Sequence, residues 1–384
     1  MKNIKYLLGN ALIMCATGTL VGCSGDDKAT DTTPAPTQAT GLSACGADNA
    51  ARPGEVLAMV DAIKKAVEGK GDSSQISLYS MPNHRSAFWD TPKLGYERAK
   101  QELGTLGDWV FPPSKESPLP EIVAAQQANM SNWTMQGVSG IALSVKSAAD
   151  MLGPINSAIS TGIPVVTFDS DAADSSRFLY VGPLSQPSGV LAGNELVKAM
   201  GTTTGVVVVL SGKQSEVYLQ ERLAGAKGPI EAAGFTLDTV WDLTDGGIVA
   251  AMDAAFAKHG DKLKGFLTMT GTFAPLAGAY IRDKGHTGKV RMVGWDLKVE
   301  TQQLIDAGVV HAMLAQRSYF HGYLPVYLNY AITTLGKEKV MATLAGSLSG
   351  TKGDLLNTGV DVVTKENLTS YLQYQTECLG VASN

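Results

Sequence analysis

The feature that most constrains this chain is a regular alternation of short β-rich runs with helical patterns, which begins near residue 75. Strands that alternate with helices favour parallel sheets that carry helices on both faces. The run GVVVVL at 205–210 is apolar and β-branched without a polar alternation, as is typical of a strand covered on both faces. The sequence therefore predicts a doubly wound α/β fold.

The alternation predicts two successive sets of elements. The first set has predicted strands at 76–80, 109–111, 140–144, 164–168 and 178–181, with helices near 92–103, 119–136 and 149–160. The second set has predicted strands at 205–210, 239–243, 265–269 and 290–294, followed by a strand at 311–315, a helix at 319–335 and a strand at 360–363. The restart of the same rhythm indicates a second lobe.

A chain of 384 residues is long enough for two domains that each bury a core. We predict a first lobe formed by residues 75–182 and 317–348. We predict a second lobe formed by residues 183–316 and 349–378. The elements after residue 311 could return to either lobe, and with the assignment above three crossings of the chain would join the two doubly wound parallel-sheet lobes as a three-stranded hinge.

Residues 1–22 are predicted to be an export signal, because Lys2 and Lys5 precede an apolar run at 6–20. The sequence Leu-Val-Gly before Cys23 resembles a bacterial lipobox, in which the cysteine carries the lipid. A chance cysteine is one alternative. A transmembrane helix is another, although the run is short and lacks a charged stop-transfer flank. We expect a cell-envelope lipoprotein on the periplasmic side of a bacterial membrane.

The segment that follows the signal has two parts. Residues 23–44 are poor in large apolar side chains and are predicted to be a flexible tether. Residues 45–74 form a predicted extension, in which apolar residues recur at helical spacing. Once the signal is removed and Cys23 is acylated, Cys45 and Cys378 remain, and an oxidising envelope permits them to form a disulfide.

Charge and motifs exclude several classes of function. The formal net charge is −5 and no stretch is dense in Lys or Arg, so nucleic acid is not an expected partner. Gly212-Lys213 is followed by Gln214, which does not fit a phosphate loop. The five histidines are dispersed and the cysteines lack CxxC spacing, and there is no GxSxG or GxGxxG motif. We predict no catalytic residue, no metal and no cofactor, and expect binding at the carboxyl ends of the strands.

Several segments together resemble type I periplasmic binding proteins, and among them the ribose-, galactose- and xylose-binding branch. The similarity covers nearly all of residues 75–376. The segments that carry it are Ala87-Phe88-Trp89, the run Ile163 to Asp171, Gln220-Glu221-Arg222-Leu223-Ala224-Gly225, Val293-Gly294-Trp295-Asp296 and Ala315-Gln316. Their order and spacing are more specific than any one of them alone.

The resemblance implies a set of ligand-binding residues. Phe88 and Trp89 would stack on a sugar ring, unless they belong to the core of the first lobe. Asp169, Arg222 and Asp296 would form charge-assisted hydrogen bonds with sugar hydroxyls. The alternatives are helix capping for the two aspartates and an exposed position for Arg222. The resemblance also places Gln316 against the sugar, although its amide could instead satisfy backbone groups.

The sequence also departs from the ribose-binding pattern. Ser144 and Thr272 stand where ribose binders carry asparagine, and Ser170 stands where an arginine is common. The first crossing reads Gly-Pro-Leu-Ser at 182–185 in place of Gly-x-Asp-Asn. These differences argue against ribose itself. Asp245 is a further candidate ligand partner, and Trp295 could add stacking area.

The resemblance implies a monomeric solute-binding protein that captures a sugar or polyol and delivers it to the permease of an ABC transporter. One alternative is a receptor that presents its closed form to a chemoreceptor or sensor kinase. An enzyme of the envelope is disfavoured because no catalytic constellation is present. A transcriptional regulator is excluded by the export signal and by the lack of a helix-turn-helix segment.

Overall fold

The structure, a computed structural model, describes residues 42, 44–46, 48–201 and 204–382. The predicted signal peptide, Cys23 and nearly all of the predicted tether lie outside these residues. The described part contains two six-stranded, mostly parallel sheets flanked by helices. This arrangement confirms the predicted α/β class with two doubly wound lobes.

The first sheet has the strand order β1-β2-β3-β4-β11-β10. Its strands are β1 (Leu78–Met81), β2 (Gly140–Leu143), β3 (Val165–Phe168), β4 (Leu179–Gly182), β10 (Leu348–Ser349) and β11 (Leu355–Asn357). All pairs are parallel except β10 with β11. The carboxyl ends of β1 to β4 and of β11 therefore meet at one edge of the sheet.

The second sheet has the order β12-β9-β8-β7-β5-β6. Its strands are β5 (Gly205–Leu210), β6 (Phe235–Val240), β7 (Leu263–Thr268), β8 (Arg291–Trp295), β9 (Ala312–Gln316) and β12 (Val360–Thr364). Only β12 runs antiparallel to its neighbour. As predicted, β5 is buried on both faces along most of its length.

Twelve α-helices occur in the described ranges. They are α1 (Gly54–Val67), α2 (Asp90–Leu103), α3 (Leu119–Gln136), α4 (Ala148–Ser160), α5 (Ser185–Met200), α6 (Val217–Ala232), α7 (Ile248–His259), α8 (Phe273–Asp283), α9 (Val299–Asp306), α10 (Tyr319–Leu335), α11 (Lys337–Leu344) and α12 (Leu368–Leu379). None of them combines the length and the apolar character that a bilayer crossing requires.

The predicted extension contains α1, whose apolar residues at helical spacing pack into the core of the first sheet. Glu102 on α2 holds α1 in place. Its carboxylate accepts hydrogen bonds from Lys64 on α1 at 2.9 Å and from Tyr327 on α10 at 2.8 Å. Cys45 and Cys378 form a disulfide that joins the start of the extension to α12. The two ends of the described chain are thus held together on the first lobe.

Two strand predictions are wrong. Residues 109–111 do not form a regular strand: Ser80 and Trp109 share one isolated bridge, because the chain at Gly107 adopts a φ of 109° beside β1. A Cβ atom on Gly107 would lie 2.0 Å from the carbonyl oxygen of Leu78. In the second sheet β6 spans 235–240 instead of 239–243, since its register with β5 ends at Val240 and the chain turns at Asp242 with a φ of 58°.

Helices α5 and α6 pack at very short distance in the second lobe. A Cβ atom on Gly225 of α6 would lie 2.0 Å from the carbonyl oxygen of Gln186 on α5, so only glycine permits this approach. Gly225 lies three residues after Arg222 in one of the motifs that carry the resemblance. The close contact fixes the helix from which Arg222 extends.

The chain passes between the two sheets three times within the described residues, at 183–184, 317–318 and 358–359. The sequence predicts residues 349–378 in the second lobe, but 355–357 pair with β4 in the first sheet and the crossing follows Asn357. These short strands carry no alternation that would identify their sheet. The side chain of Asn357 joins two crossings, accepting from the backbone of Leu184 at 3.1 Å and of Gly359 at 2.9 Å.

Candidate functional site

Asp169 directly follows β3 and has a left-handed backbone with a φ of 59°. Its N–H donates to the carbonyl of Val181 at 3.0 Å, and its own carbonyl accepts from the hydroxyl of Tyr180 at 3.0 Å. A non-glycine residue held in this conformation by its surroundings often marks a functional site. No helix begins at Asp169 in the structure, so helix capping does not explain it.

Serine and asparagine side chains support the carboxylate of Asp169. Ser170 and Ser144 donate to its Oδ2 atom at 3.3 and 3.5 Å. Asn83, which lies two residues after β1, donates in turn to Ser170 at 3.1 Å. The predicted ligand residue Ser144 is fully buried and contacts Asp169. Ser144 and Ser170 thus orient an acceptor at the carboxyl edge of the first sheet.

Arg222 extends from α6 in the second lobe and is only 6% exposed, so the alternative of a solvated arginine is wrong. Its Nη1 atom donates to the carbonyl of Met269 at 2.7 Å. Its guanidinium lies 4.6 Å from the ring centroid of Trp295 and 5.2 Å from that of Tyr218. Trp295 is fully buried and serves as a platform for Arg222, so it offers no exposed face of its own.

Asp296 follows β8, and Gln316 ends the neighbouring strand β9. The amide of Gln316 donates to Oδ1 of Asp296 at 2.9 Å. The next helix, α9, begins after Lys298, so Asp296 does not occupy its N-cap position. The two predicted residues therefore form one hydrogen-bonded pair at the carboxyl edge of the second sheet.

The charged groups of the two lobes influence one another. The pKa of Asp169 is raised to about 6, mainly by burial and in part by repulsion from Asp296, while the hydrogen bond from Ser170 and the charge of Arg222 act in the opposite direction. Burial also raises the pKa of Asp296, against the attraction of Arg222. Burial lowers the pKa of Arg222, against the attraction of both carboxylates. Asp169 in the first lobe and Arg222 and Asp296 in the second are therefore near enough to affect one another's ionisation.

The aromatic pair has two different environments. Trp89 is 1% exposed and its ring packs against Phe168 at 5.9 Å and Trp109 at 6.5 Å, measured between centroids. It lies in the core of the first lobe, which was the alternative to stacking. Phe88 is only partly buried and meets the Trp89 ring edge-on at 4.9 Å. Phe88 is thus the member of the pair with surface to offer a ligand.

Two other predicted residues are not joined to this cluster. Thr272 is exposed after β7, and its hydroxyl lies 3.4 Å from that of Thr270. Asp245 is exposed in a short 3₁₀ helix before α7, and no described side chain links it to Arg222 or Asp296. Their roles as ligand partners stay predictions.

Sequence reasoning missed several polar atoms near the same strand ends. Asn83 Oδ1 and His84 Nδ1 follow β1, and Ser211 Oγ follows β5; each is buried without a hydrogen-bond partner among the described residues. Burial lowers the pKa of His84 to about 4, so its ring is neutral at physiological pH. Buried polar groups normally have partners, and those without one mark places where a ligand can supply it. The tendency of ligands to bind at the carboxyl ends of parallel strands could alone have identified these residues.

The site therefore combines carboxylate acceptors, a guanidinium donor and amide groups. Among the described residues no group of three His, Cys, Asp or Glu side chains could hold a metal ion. The carboxylates can accept from hydroxyl groups, and Arg222 can donate to hydroxyl or ring oxygens. Such a set suits a neutral molecule with many hydroxyl groups.

Comparison with known proteins places this geometry in a family. A family model described as a periplasmic binding protein domain matches residues 77–338. The xylose/arabinose-binding protein XylF of Sulfolobus acidocaldarius is 25% identical over 256 residues, which cover 62% of this chain and 59% of that protein. This match therefore spans less than two thirds of the relative's length.

Solved structures show the same fold. A sugar-binding protein of a sugar ABC transporter from Bacillus halodurans is 21% identical with a TM-score of 0.64, over 77% of this chain and 99% of that one. An ABC transporter solute-binding protein from Burkholderia graminis C4D1M, in complex with D-arabinose, is 25% identical with a TM-score of 0.62, over 78% and 99% of the two chains. Because the family model covers more than half of the sequence, this chain belongs to the periplasmic binding protein domain family, whose members act outside the cytoplasm.

Proposed function

We propose that this protein captures a monosaccharide or a similar polyol for an ABC importer and catalyses no reaction. The observation that carries the proposal is the cluster of Asp169 from the first lobe with Arg222 and Asp296 from the second. A ligand that bonds to both sides of this cluster must be held between the lobes. The relatives named for xylose, arabinose or D-arabinose supply the sugar class to test.

In the absence of a ligand, the charged and polar groups of the site raise the free energy of the closed form, and a ligand that relieves this cost would favour closure. Two partly buried carboxylates repel each other, and several buried polar atoms lack partners. Sugar hydroxyl groups would supply those partners, and hydrogen bonds to charged groups each contribute roughly 1.5 to 3 kcal/mol. Because these contacts come from both lobes, the ligand shifts the population toward the closed form.

The stacking surface in this proposal is Phe88. Its ring is partly exposed while Trp89 stands behind it in the core, so Trp89 would hold Phe88 in position. The axial C–H groups of a pyranose suit an aromatic face, while its hydroxyl groups suit the charged cluster. Gln316 would contact the sugar through the oxygen of its amide, because its nitrogen already donates to Asp296.

We further propose that the protein is a monomeric lipoprotein anchored through Cys23, with residues 23–44 as a tether. The tether would let the lobes reach a permease while the lipid stays in the membrane. Metabolic labelling with a fatty acid tests this part: we expect label on the wild type and none on Cys23→Ala. Equal labelling of both would contradict it.

A thermal-shift screen tests the binding function. The panel contains D-xylose, D-arabinose, L-arabinose, D-ribose, D-glucose, D-galactose and myo-inositol. A ligand at 100 times its dissociation constant adds about 2.7 kcal/mol to stability, which is easily measured. We expect at least one sugar to raise the unfolding temperature of the wild type and to raise that of Arg222→Ala by clearly less. An unchanged wild type throughout the panel would contradict the proposal.

A further inference from the structure

His321 is a buried histidine that the site described above does not use. It lies in the first turn of α10, just after the second crossing, and is fully buried. Burial lowers its pKa to about 3, so the imidazole is neutral at physiological pH. A neutral imidazole has one N–H donor and one acceptor nitrogen. The positions of its two nitrogens therefore decide what it can connect.

One nitrogen of His321 contacts the hinge. Its Nε2 atom lies 3.2 Å from the hydroxyl of Thr358, which is fully buried in the third crossing. The backbone of Thr358 joins the other two crossings. Its N–H donates to the carbonyl of Gly182, the residue just before the first crossing, at 3.0 Å. Its carbonyl accepts from Arg317 in the second crossing at 3.0 Å. Thr358 thus lies at the point where all three crossings are bonded together.

The other nitrogen of His321 faces the candidate ligand site. Its Nδ1 atom lies 4.0 Å from Oδ1 of Asp169 and has no hydrogen-bond partner among the described residues. The opposite oxygen of Asp169 is the one that Ser144 and Ser170 support. The gap exceeds a normal hydrogen bond by about 1 Å. A small movement of Asp169 toward α10 would close it.

We propose that His321 is a positioning residue that links the ligand-binding carboxylate of Asp169 to the hinge through Thr358. The hydroxyl of Thr358 donates to Nε2, which leaves the ring proton on Nδ1. Nδ1 then donates to Oδ1 of Asp169 when the lobes close around a ligand. A ligand that fixes Asp169 thereby also fixes the third crossing. This inference rests on the proposed function, because it takes Asp169 as a ligand contact.

Three substitutions of His321 separate this link from simple packing. In His321→Asn the amide stands near the position of Nδ1 and keeps a donor toward Asp169, but it cannot reach Thr358. In His321→Gln the amide reaches toward Thr358 but not toward Asp169. His321→Phe fills the volume and has neither contact. Because the link needs both ends, we expect all three variants to bind the panel sugar with the largest thermal shift about tenfold more weakly.

Thr358 provides the matched pair of variants. Thr358→Val keeps the shape and removes the hydroxyl, and we expect the same loss of affinity as for His321→Phe. Thr358→Ser keeps the hydroxyl and should restore affinity to within about threefold of the wild type. Combining His321→Phe with Thr358→Val should add no further loss, since both break one link. Wild-type affinity in either His321→Phe or Thr358→Val would overturn the proposal.

A measurement without ligand tests the link independently of the sugar. The chain contains five histidines, and the ¹⁵N signals of His321 are identified by their loss in His321→Gln. We expect the Nδ1–H tautomer in the ligand-free protein and a downfield shift of this proton when the sugar is added. An Nε2–H tautomer would overturn the link even if a sugar binds. If the protein binds no panel sugar but shows the Nδ1–H tautomer, the result would contradict the proposed function and not the link through His321.

Discussion

The guanidinium of Arg222 lies 4.6 Å from the ring centroid of Trp295. The same side chain donates to the carbonyl of Met269, so a planar stack and a hydrogen bond both fix its direction before any ligand arrives. A guanidinium on an aromatic face is stabilised by stacking and by cation–π attraction. Arg222 is therefore a preorganised donor in the cleft.

The first prediction concerns this preorganisation. Arg222→Ala should weaken sugar binding tenfold or more, because a hydrogen bond to a charged group contributes roughly 1.5 to 3 kcal/mol. Arg222→Lys should also bind more weakly, since lysine keeps the charge but loses the planar stack. Calorimetric titration measures both. Lys227→Ala, an exposed substitution on the same helix, is the control. Wild-type affinity in Arg222→Ala would show that Arg222 does not contact the ligand.

The second prediction concerns the stability cost of Asp169. Its pKa in the folded protein is raised from 3.8 to about 6, so ionisation opposes folding. The cost is absent below pH 4, grows between pH 4 and 6, and is complete above pH 6. Asp169→Asn should therefore stabilise the ligand-free protein at pH 8 by up to about 3 kcal/mol and change little at pH 4.

Urea unfolding at both pH values measures this effect. Asparagine tolerates the left-handed backbone of residue 169, so the substitution adds no backbone strain. Asp174→Asn is the control, because Asp174 is exposed. The same Asp169→Asn variant should lose sugar binding. A variant that is less stable than the wild type at pH 8 would show that the carboxylate of Asp169 supports folding.

The third prediction concerns the attachment of the extension helix. Burial opposes ionisation of Glu102, but hydrogen bonds from Tyr323, Lys64, Tyr327 and Arg98 together lower its pKa to about 2. A lowered carboxyl pKa stabilises the folded state above the ordinary value of 4.5, and this contribution is lost as the pH falls toward 2. Glu102→Gln should cost about 1 to 3 kcal/mol at pH 7 and less than half of that at pH 3.

Thermal unfolding at the two pH values tests this prediction. Glu97→Gln changes an exposed glutamate on the same helix and should leave stability unchanged. Sugar affinity should be unaffected in both variants, because Glu102 lies between α1, α2 and α10, away from the cleft. Equal stabilities of Glu102→Gln and the wild type at pH 7 would show that the hydrogen bonds contribute nothing net.

The fourth prediction concerns the disulfide between Cys45 and Cys378, which are 333 residues apart. Closing so long a loop restricts the unfolded chain, and the chain-entropy model gives roughly 4 to 5 kcal/mol, although measured values are often lower. Cys45→Ala should lower the unfolding temperature, as should reduction of the wild type. A protein that begins after Cys23 should show no free thiol when it is unfolded without reductant. Two titratable thiols would contradict the bridge.

The fold was largely predictable because its strongest elements carry strong local patterns. Residues 205–210 form the predicted strand, since an unbroken β-branched run fits a position covered on both faces. The helix at 319–335 was also predicted within its observed bounds. The segment at 349–357 was assigned to the wrong lobe, because β10 and β11 are too short to show which sheet they join.

The site was less predictable, because a chain pattern does not show which distant segments share a core. Asp169, Arg222, Asp296 and Gln316 were predicted as ligand residues through a resemblance that extends over several motifs. Trp89 follows a strand in the same manner as a ligand residue, yet Trp109 and Phe168 from other segments enclose it. No sequence pattern indicated a role for His321. It lies inside an apolar helical run, and its relation to Asp169 and Thr358 exists only in three dimensions.

The most direct test of the account is calorimetric titration of the wild type and Asp296→Asn with the sugar that the screen identifies. Asp296→Asn keeps the size of the side chain, so the loss of its negative charge is the main change in the cleft. The account predicts one sugar per chain for the wild type and binding weaker by tenfold or more in the variant. Equal affinities in the two proteins, or no heat from any sugar of the panel with the wild type, would contradict it.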